Sequence, residues 1–270
     1  MTIIDDRLVL ITGAAAGLGR EMAFAFGARG ARLALLDRDG ETLDRTVRDL
    51  ERQAFRVQAY PCDVTCSPVL ETVVAAVERE GGPVEILVNN AGIAVGKPIL
   101  EAGMDEIRRV IEVNLLALMD LTKRILPAMT RRNRGHIVNI ASAAGLLAMP
   151  RLAPYCASKF AVVGFSDALR QEMKKYGCNG VKVTCVCPSV ISTGMFDGFR
   201  PPRLNPLLAP EAVARRVVRA VAADRDYVKM PFMVHLIPLF RLLPAGLMDR
   251  IGAILGTARA MDAFRGHRQQ

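Results

Sequence analysis

Apolar residues along this chain form short runs, which alternate with longer segments in which apolar residues recur with the period of a helix. This alternation predicts a doubly wound parallel α/β fold of about seven strands, with helices on both faces of the sheet. The predicted strands are Leu8–Thr12, Arg32–Leu36, Arg56–Tyr60, Ile86–Asn89, His136–Ala141, Lys182–Cys187 and Tyr227–Met230. The predicted helices are Leu18–Arg29, Glu41–Gln53, Pro68–Glu80, Met104–Met129, Pro154–Tyr176 and Pro210–Ala223, and a helical C-terminal extension follows them.

Composition supports a large core, and the distribution of charge narrows the range of partners. Apolar residues make up 51% of the 270 residues, which excludes global disorder. The net charge is +9, and residues 196–270 contribute +6 of it, from 12 Lys and Arg against 6 Asp and Glu. This basic quarter mixes its arginines with Pro, Leu and Met rather than with stacking aromatic residues, so we expect no nucleic-acid partner.

We predict neither a secretion signal nor a membrane-spanning segment. Asp5, Asp6 and Arg7 interrupt the N-terminus, and the chain has no stretch of about 18 apolar residues. The six cysteines lack paired CxxC spacing, so we expect reduced thiols and no metal site. These features predict a cytoplasmic protein, with peripheral contact to a membrane as an open alternative.

A glycine-rich turn, Thr12–Gly19, follows the first predicted strand and opens the first predicted helix. Glycines let the backbone approach a pyrophosphate closely, and the helix N-terminus offers free N–H groups and the positive end of a dipole. The turn therefore predicts a dinucleotide site. The expected contacts in the turn are Gly13, Ala15, Gly17, Leu18 and Gly19.

Further cofactor contacts are expected where later strands end. Asp37 ends the second strand; its carboxylate can accept hydrogen bonds from the adenosine ribose and repels a 2′-phosphate, which favours NAD over NADP. Arg38 keeps NADP as an alternative, because a guanidinium can pair with that phosphate. Asp63, followed by Val64, either accepts from the adenine amino group or caps the helix that starts near Pro68.

The fourth strand ends in Asn89-Asn90-Ala91-Gly92, at the sheet edge where open α/β folds bind their ligands. Two amides and a glycine are also common in tight turns. Their position at the carboxyl end of a strand favours the cofactor role, and Asn90, Ala91 and Gly92 are the expected contacts.

Tyr155 and Lys159 are four residues apart on a predicted helix and therefore share one of its faces. A cation beside a phenol stabilises the phenolate, so Lys159 is expected to lower the pKa of Tyr155 from about 10 towards the working range. Tyr155 then serves as a general acid and base. Ser142 is expected to hydrogen-bond the same substrate oxygen, and the carbonyl of Asn114 to hold a water that links Lys159 to solvent.

As a set, these residues resemble the classical short-chain dehydrogenase/reductase family. The matching residues are TGAAAGLG at 12–19, Asp63, NNAG at 89–92, Asn114, Ser142 and YCASK at 155–159. The resemblance implies a Rossmann-like fold and an NAD(P) cofactor. It makes Asn114, Ser142, Tyr155 and Lys159 the catalytic group, with Tyr155 and Lys159 also binding the cofactor.

After the sixth strand, the Pro-Gly turn of the family reads Pro188-Ser189 in this chain, which leaves the local turn geometry open. The resemblance implies Pro188, Val190 and Thr193 as cofactor contacts, with Thr193 at the nicotinamide carboxamide or the phosphates.

The last quarter is similar to the C-terminal pattern of retinol dehydrogenases and 17β-hydroxysteroid dehydrogenases of the lipid-associated subgroup. The matching residues are Lys229-Met230-Pro231, Leu243-Pro244, Asp249, Leu255-Gly256 and 261–266. Eukaryotic members of that subgroup usually carry an N-terminal hydrophobic anchor. Because this N-terminus has no such stretch, we expect a bacterial or otherwise soluble relative.

The segment between Ser142 and Tyr155 must border the substrate pocket, and it contains one base and no acid. Met195, Phe196 and Phe199 are expected to form a lid. The sequence thus predicts a lipophilic alcohol or carbonyl substrate: a steroid, a retinoid or a long-chain compound. One alternative is a 3-oxoacyl thioester reductase of fatty-acid type, and another is a dinucleotide-binding scaffold without activity.

We expect one domain over residues 1–270. Residues 5–195 would form the cofactor-binding and catalytic core, and residues 196–270 the substrate lid and an amphipathic extension. The extension either contacts a membrane peripherally or completes the core or a subunit interface. The resemblance implies a homodimer or homotetramer formed through the long fourth and fifth helices.

Overall fold

The computed structural model describes residues 1–202, 205–264 and 266, and it contains one parallel sheet in the order β3-β2-β1-β4-β5-β6-β7. The strands are β1 Leu8–Thr12, β2 Arg32–Asp37, β3 Arg56–Pro61, β4 Ile86–Asn89, β5 Gly135–Ile140, β6 Val181–Pro188 and β7 Tyr227–Met230. Each predicted strand end is within one residue of the observed one, and the predicted fold class is confirmed.

Helices cover both faces of the sheet and continue beyond it. The α-helices are α1 Gly17–Gly27, α2 Gly40–Glu51, α3 Ser67–Gly81, α4 Met104–Ile111, α5 Ala117–Arg131, α6 Ala153–Lys175, α7 Pro210–Ala222, α8 Ile237–Phe240 and α9 Ala245–Leu255. The prediction of one continuous helix over Met104–Met129 is wrong, because a π-helical turn at Glu112–Leu116 separates α4 from α5. Three 3₁₀ turns lie at Ala143–Gly145, Phe232–Leu236 and Thr257–Arg259.

The sheet is buried because successive side chains on its strands point to opposite faces and both faces are covered. Val9 and Ile11 of β1 belong to a cluster that includes Phe26 of α1 and side chains of α7. The intervening Leu10 belongs to a second cluster on the opposite face, with side chains of α3, α5 and α6. Both clusters include residues of β4, so apolar side chains pack on each face at the centre of the sheet.

The strand order reverses between β1 and β4, which are neighbours although β2 and β3 come between them in sequence. At such a switch point the loops leave the sheet in opposite directions and open a crevice at the carboxyl ends of the strands. The glycine-rich turn after β1 and the Asn-Asn-Ala-Gly segment after β4 both lie there.

Beyond β7 the chain forms short helices, and neither α8 nor α9 contains a buried residue. Within the part of the chain that the structure describes, no helix has both the length and the apolar content needed to cross a bilayer.

Candidate active site

The glycine-rich turn adopts backbone conformations that glycine favours. Gly13 and Gly17 have φ of 64° and 55°, in the left-handed region. A Cβ at Gly17 would lie 3.2 Å from the Cβ of Thr193, and one at Gly19 would overlap with the carbonyl oxygen of Gly13. The turn is therefore closely packed, and Thr193 lies beside it.

The N-terminus of α1 is suited to an anion. Ala16 is the N-cap residue and has no side chain that could accept from the first N–H groups of the helix. Those N–H groups, together with the dipole of the helix, favour a phosphate at this position. The buried Leu18 anchors the first turn of the helix in the core. The turn thus fits a dinucleotide pyrophosphate.

Asn90 holds the glycine-rich turn against the loop after β4. Its side-chain amide donates to the carbonyl oxygens of Thr12 and Gly13, at 2.9 and 3.0 Å. The backbone N–H groups of Asn90 and Ala91 both donate to the hydroxyl of Thr12 at 3.0 Å. This makes Asn90 a residue that shapes the cofactor cradle.

Asp37 lies at the end of β2, next to the glycine-rich turn. One of its carboxylate oxygens accepts from the backbone N–H of Ala15 at 2.9 Å, and the other from that of Asp39 at 3.1 Å. These contacts orient the carboxylate at the rim of the crevice, where a ribose would lie. The neighbouring Arg38 is exposed.

Asp63 does not cap a helix, so that alternative is wrong. The cap position of α3 is Cys66, without a side-chain hydrogen bond. Asp63 instead accepts from the N–H and hydroxyl of Thr65, at 2.9 and 2.7 Å, and pairs with Arg109 at 2.7 Å. Burial acts to raise the pKa of Asp63, but the hydrogen bonds from Thr65 and Arg109 outweigh it and lower the pKa to about 2. Val64 beside it is buried.

Asn114 lies in the π-helical turn and is 1% exposed. Its amide oxygen accepts from the N–H of Ile93 at 2.8 Å, and its amide nitrogen donates to the carbonyl of Ile93 at 2.9 Å. The nitrogen also donates to the hydroxyl of Ser158 at 3.0 Å, and that hydroxyl donates to the carbonyl of Tyr155. The side chain therefore ties the loop after β4 to α6, and π-helical turns recur at functional sites.

Lys159 and Tyr155 are both buried on one face of α6, as their spacing predicts. The ammonium of Lys159 lies 5.7 Å from the ring centroid of Tyr155 and donates to the carbonyl of Ile140 at 2.8 Å. The hydroxyl of Ser142 lies at the end of β5 and accepts from the N–H of Ala144 at 3.1 Å. The structure thus brings Tyr155 and Lys159 together, and Ser142 forms a hydrogen bond with Tyr155.

The electrostatic expectation for Tyr155 is wrong in this structure. Burial raises the pKa of Tyr155 to about 12, and hydrogen bonding with Ser142 acts in the opposite direction. Burial also lowers the pKa of Lys159 to about 8. Desolvation disfavours the charged form of both groups and is the largest influence on the pKa of each.

Gly92 connects the cofactor crevice with the catalytic side chains. A Cβ at this position would lie 3.3 Å from the amide oxygen of Asn114 and 3.5 Å from the ammonium of Lys159. The loop that is hydrogen-bonded to the glycine-rich turn therefore also lies beside Asn114 and Lys159.

The turn after β6 needs no glycine. Ser189, which replaces the glycine of the family pattern, is not among the residues with positive φ, and its N–H donates to the carbonyl of Met230 at 2.7 Å. The carbonyl of Pro188 faces the hydroxyl of Ser142 at 3.5 Å. Val190 packs with the apolar cluster around Tyr155. This segment therefore lies at the site despite the substitution.

Three phenylalanine rings near Tyr155 form a cluster, which we refer to as the aromatic wall. Phe196 packs edge-on against Tyr155 at 5.6 Å between ring centroids, and Phe199 and Phe264 flank Phe196 at 6.5 and 6.0 Å. The cluster around these rings is apolar and includes Leu152, Phe160 and Met261. Phe196 and Phe199 were predicted to form a lid. The contribution of Phe264 was not predicted, because it is distant in sequence.

Other residues at the site also escaped the sequence analysis. Arg109 and Ser158 hold two predicted site residues through hydrogen bonds, and Gly96 provides the surface on which the Phe264 ring packs. Only Ser158, inside the Tyr-Cys-Ala-Ser-Lys segment, carried a local signal, since it lies beside Lys159.

Comparisons with known proteins agree with this geometry. A family model described as short chain dehydrogenase matches residues 7–203. Epidermal retinol dehydrogenase 2 of Mus musculus is 39% identical over 272 residues, which span 99% of this chain and 88% of the relative. 17-beta-hydroxysteroid dehydrogenase 13 of Mus musculus is 37% identical over 233 residues, 86% of this chain and 76% of the relative.

A solved structure of a short chain dehydrogenase/reductase from Burkholderia phymatum in complex with NAD superposes with a TM-score of 0.82 at 27% identity, covering 96% of this chain and 98% of that one. The resemblance to retinol and 17β-hydroxysteroid dehydrogenases is thus confirmed. The chain belongs to the short-chain dehydrogenase family and is an oxidoreductase that acts on alcohol or carbonyl groups.

Proposed function

We propose that this protein interconverts an alcohol and a carbonyl on a lipophilic substrate, with NAD as cofactor and Tyr155 as the acid and base. The observation that carries the proposal is the juxtaposition of Tyr155 and Lys159, both buried, with the ammonium of Lys159 beside Gly92 of the loop after β4. A packing tyrosine would not need a buried ammonium beside it, because burying a charge is costly. A binding scaffold would need neither.

NAD fits the crevice better than NADP. The N–H groups at the start of α1 would hold the pyrophosphate, and the carboxylate of Asp37 would accept from the ribose hydroxyls and repel a 2′-phosphate. Lys159 would hold the nicotinamide ribose, and Thr193 would contact the nicotinamide end. When bound, the nicotinamide supplies the acceptor or donor of the hydride.

The chain's own residues handle the proton and the charge on the substrate oxygen. With a pKa of about 12, Tyr155 holds its proton at neutral pH and can donate it to a carbonyl oxygen as that oxygen gains charge. The hydroxyl of Ser142 would donate to the same oxygen. Lys159 would favour the phenolate after the transfer and help to return the proton. Asn114 would hold the loop after β4 in a fixed position relative to α6.

The aromatic wall supports a lipophilic substrate. Phe196, Phe199 and Phe264 together with Met261 surround Tyr155 with apolar surface, which rewards contact with a steroid, a retinoid or a long chain. A polar acyl-carrier thioester would leave this surface unmatched.

Two further proposals concern assembly and location. We propose peripheral membrane contact through the C-terminal extension, supported by its exposed apolar residues, and a homodimer or homotetramer formed through α4, α5 and α6, as in the family pattern. Co-sedimentation with liposomes tests the first, and sedimentation velocity tests the second.

Replacement of Tyr155 by Phe tests the central proposal. Removing the hydroxyl should lower kcat roughly 10²- to 10⁴-fold, the usual contribution of a general acid, while NAD binding measured by calorimetry persists. The assay is a panel of steroids, retinoids, long-chain alcohols and a 3-oxoacyl thioester. Unchanged turnover in the variant would refute the role of Tyr155, and turnover confined to a thioester substrate would refute the substrate class.

A further inference from the structure

A basic groove lies between α7 and the edge strand β7, away from the active site. It has a volume of about 490 Å³. Its lining contains no carboxylate. The basic side chains in it are Arg216, Arg219, Arg225, Lys229 and His235, and the other polar side chain is Tyr227. We refer to this feature as the basic groove.

The cations of the basic groove are not neutralised by the carboxylates near them. Asp224 pairs with the N-terminal ammonium at 2.7 Å, and the cation paired with Asp226 is Arg170, at 3.9 Å. Among the residues that the structure describes, no ion pair involves Arg216, Arg219 or any other cation of the groove. Like charges held together without counter-charges favour an anionic ligand.

Exposed apolar residues adjoin the basic groove on the side of the 3₁₀ turn Phe232–Leu236. His235 contacts the carbonyl of Lys229 at 3.2 Å, and the ring of Phe232 lies 6.1 Å from that of His235. The side chain of Phe232 is 74% exposed, and Leu239 and Leu242 farther along are 66% and 80% exposed. A cationic groove bordered by exposed apolar side chains matches the interface of an anionic bilayer.

We propose that the basic groove binds the phosphate group of an anionic phospholipid, while Phe232 and the apolar residues after it enter the acyl region beside that headgroup. This inference rests on the peripheral membrane contact proposed above and names its ligand. A second copy of the chain is a poorer occupant, because a two-fold contact would place these cations against each other. The groove thus determines which membranes the protein binds.

The test compares two double variants that remove the same charge. Arg216→Gln with Arg219→Gln changes one wall of the basic groove, and Arg45→Gln with Arg48→Gln changes the exposed face of α2 as a matched control. Each Lys or Arg near an anionic surface strengthens binding by roughly fivefold, so the groove variant should bind about 25-fold more weakly. The measurement is co-sedimentation with phosphatidylcholine vesicles that contain about one third phosphatidylserine.

Equal losses of vesicle binding in the two double variants would overturn the proposal, as would equal binding of the unmodified protein to vesicles of phosphatidylcholine alone. A rise in the unfolding temperature with inorganic phosphate, without vesicle binding, would also overturn it. So would an oligomer that dissociates in the groove variant. Phe232→Gln should weaken vesicle binding without altering thermal unfolding, and unchanged binding would remove the apolar half of the proposal. Turnover of a water-soluble alcohol should be equal in all variants. Vesicle binding without turnover would count against the proposed dehydrogenase activity and not against the groove.

Discussion

The sheet region and the C-terminal region use the same apolar residue types in opposite ways. Leu10 in β1 and Phe26 in α1 are fully buried, whereas Leu242 and Ile254 are 80% and 73% exposed. Helices on both faces cover the strands, but no described element covers the outer side of α8 and α9. Apolar side chains therefore stabilise the fold in the first region and remain exposed to solvent in the second.

Replacing a leucine by alanine should change the free energy of unfolding very differently in the two regions, and this is the largest difference that we expect. Leu10→Ala removes buried methyl groups and leaves a cavity, so it should lower the free energy of unfolding by about 2–5 kcal/mol. Leu242→Ala removes only exposed surface and should change it by less than about 0.5 kcal/mol. Urea unfolding measures both, and a large loss at Leu242 would mean that the C-terminal region is part of the core.

The two regions should also differ in how their histidines make stability depend on pH, because His136 is fully buried in β5 and His235 is exposed. Burial lowers the pKa of His136 to about 4 from 6.5, although Asp224 acts in the opposite direction. The unfolded chain therefore binds a proton that the folded chain does not bind between pH 6.5 and 4. Stability should fall as pH falls through that window, by up to about 3 kcal/mol.

The measurement is urea unfolding of the wild type, His136→Gln and His235→Gln at pH 7 and pH 4.5. His136→Gln should be less stable at pH 7 but lose less stability on acidification than the wild type. His235→Gln should behave as the wild type does, because its side chain is exposed in the folded protein. The same acid loss in all three proteins would contradict this explanation.

Coenzyme choice should depend on the sheet region alone. Asp37→Ser removes the carboxylate that repels a 2′-phosphate and accepts from the ribose, a charged hydrogen bond of about 1.5–3 kcal/mol. The ratio of kcat/KM for NAD to that for NADP should fall roughly 10- to 100-fold. Asp249→Ser in α9 is the matched control and should leave the ratio unchanged. A ratio that does not move in Asp37→Ser would contradict NAD selection by this residue.

Phe264 is a point at which the C-terminal region reaches the active site. A Cβ at Gly96 would overlap with the ring of Phe264, so Gly96→Ala should displace that ring from Phe196. An aromatic contact contributes about 1 kcal/mol, and KM for a lipophilic alcohol should therefore rise roughly fivefold while KM for NAD stays constant. The control is Gly164→Ala, where an added Cβ meets open space.

A tryptophan at position 264 tests directly whether Gly96→Ala displaces the ring. The chain contains no Trp, so Phe264→Trp introduces a single tryptophan, whose selectively excited emission reports its own burial. Adding Gly96→Ala should shift that emission to the red and increase its quenching by acrylamide. Unchanged emission would show that the ring does not depend on Gly96.

Local patterns explain why so much of the sheet region was predictable. Strand ends follow from short apolar runs, and the glycine-rich turn follows from spacing between β1 and α1, so each depends on residues close in sequence. The same holds for Tyr155 and Lys159, whose spacing places them on one helix face. The break before Asn114 was not predictable, because the π-helical turn accompanies hydrogen bonds with Ile93, 21 residues away.

Sequence by itself determined the fold class and the family, and it supplied the side chains that we propose for proton transfer, because periodicity and motif spacing act over a few residues. Only the tertiary structure decided how those side chains ionise, since the burial that raises the pKa of Tyr155 depends on Phe196 and the other elements around it. The basic groove is likewise a product of folding. Arg216 and Lys229 come from different elements, and their shared charge has meaning only where α7 and β7 meet.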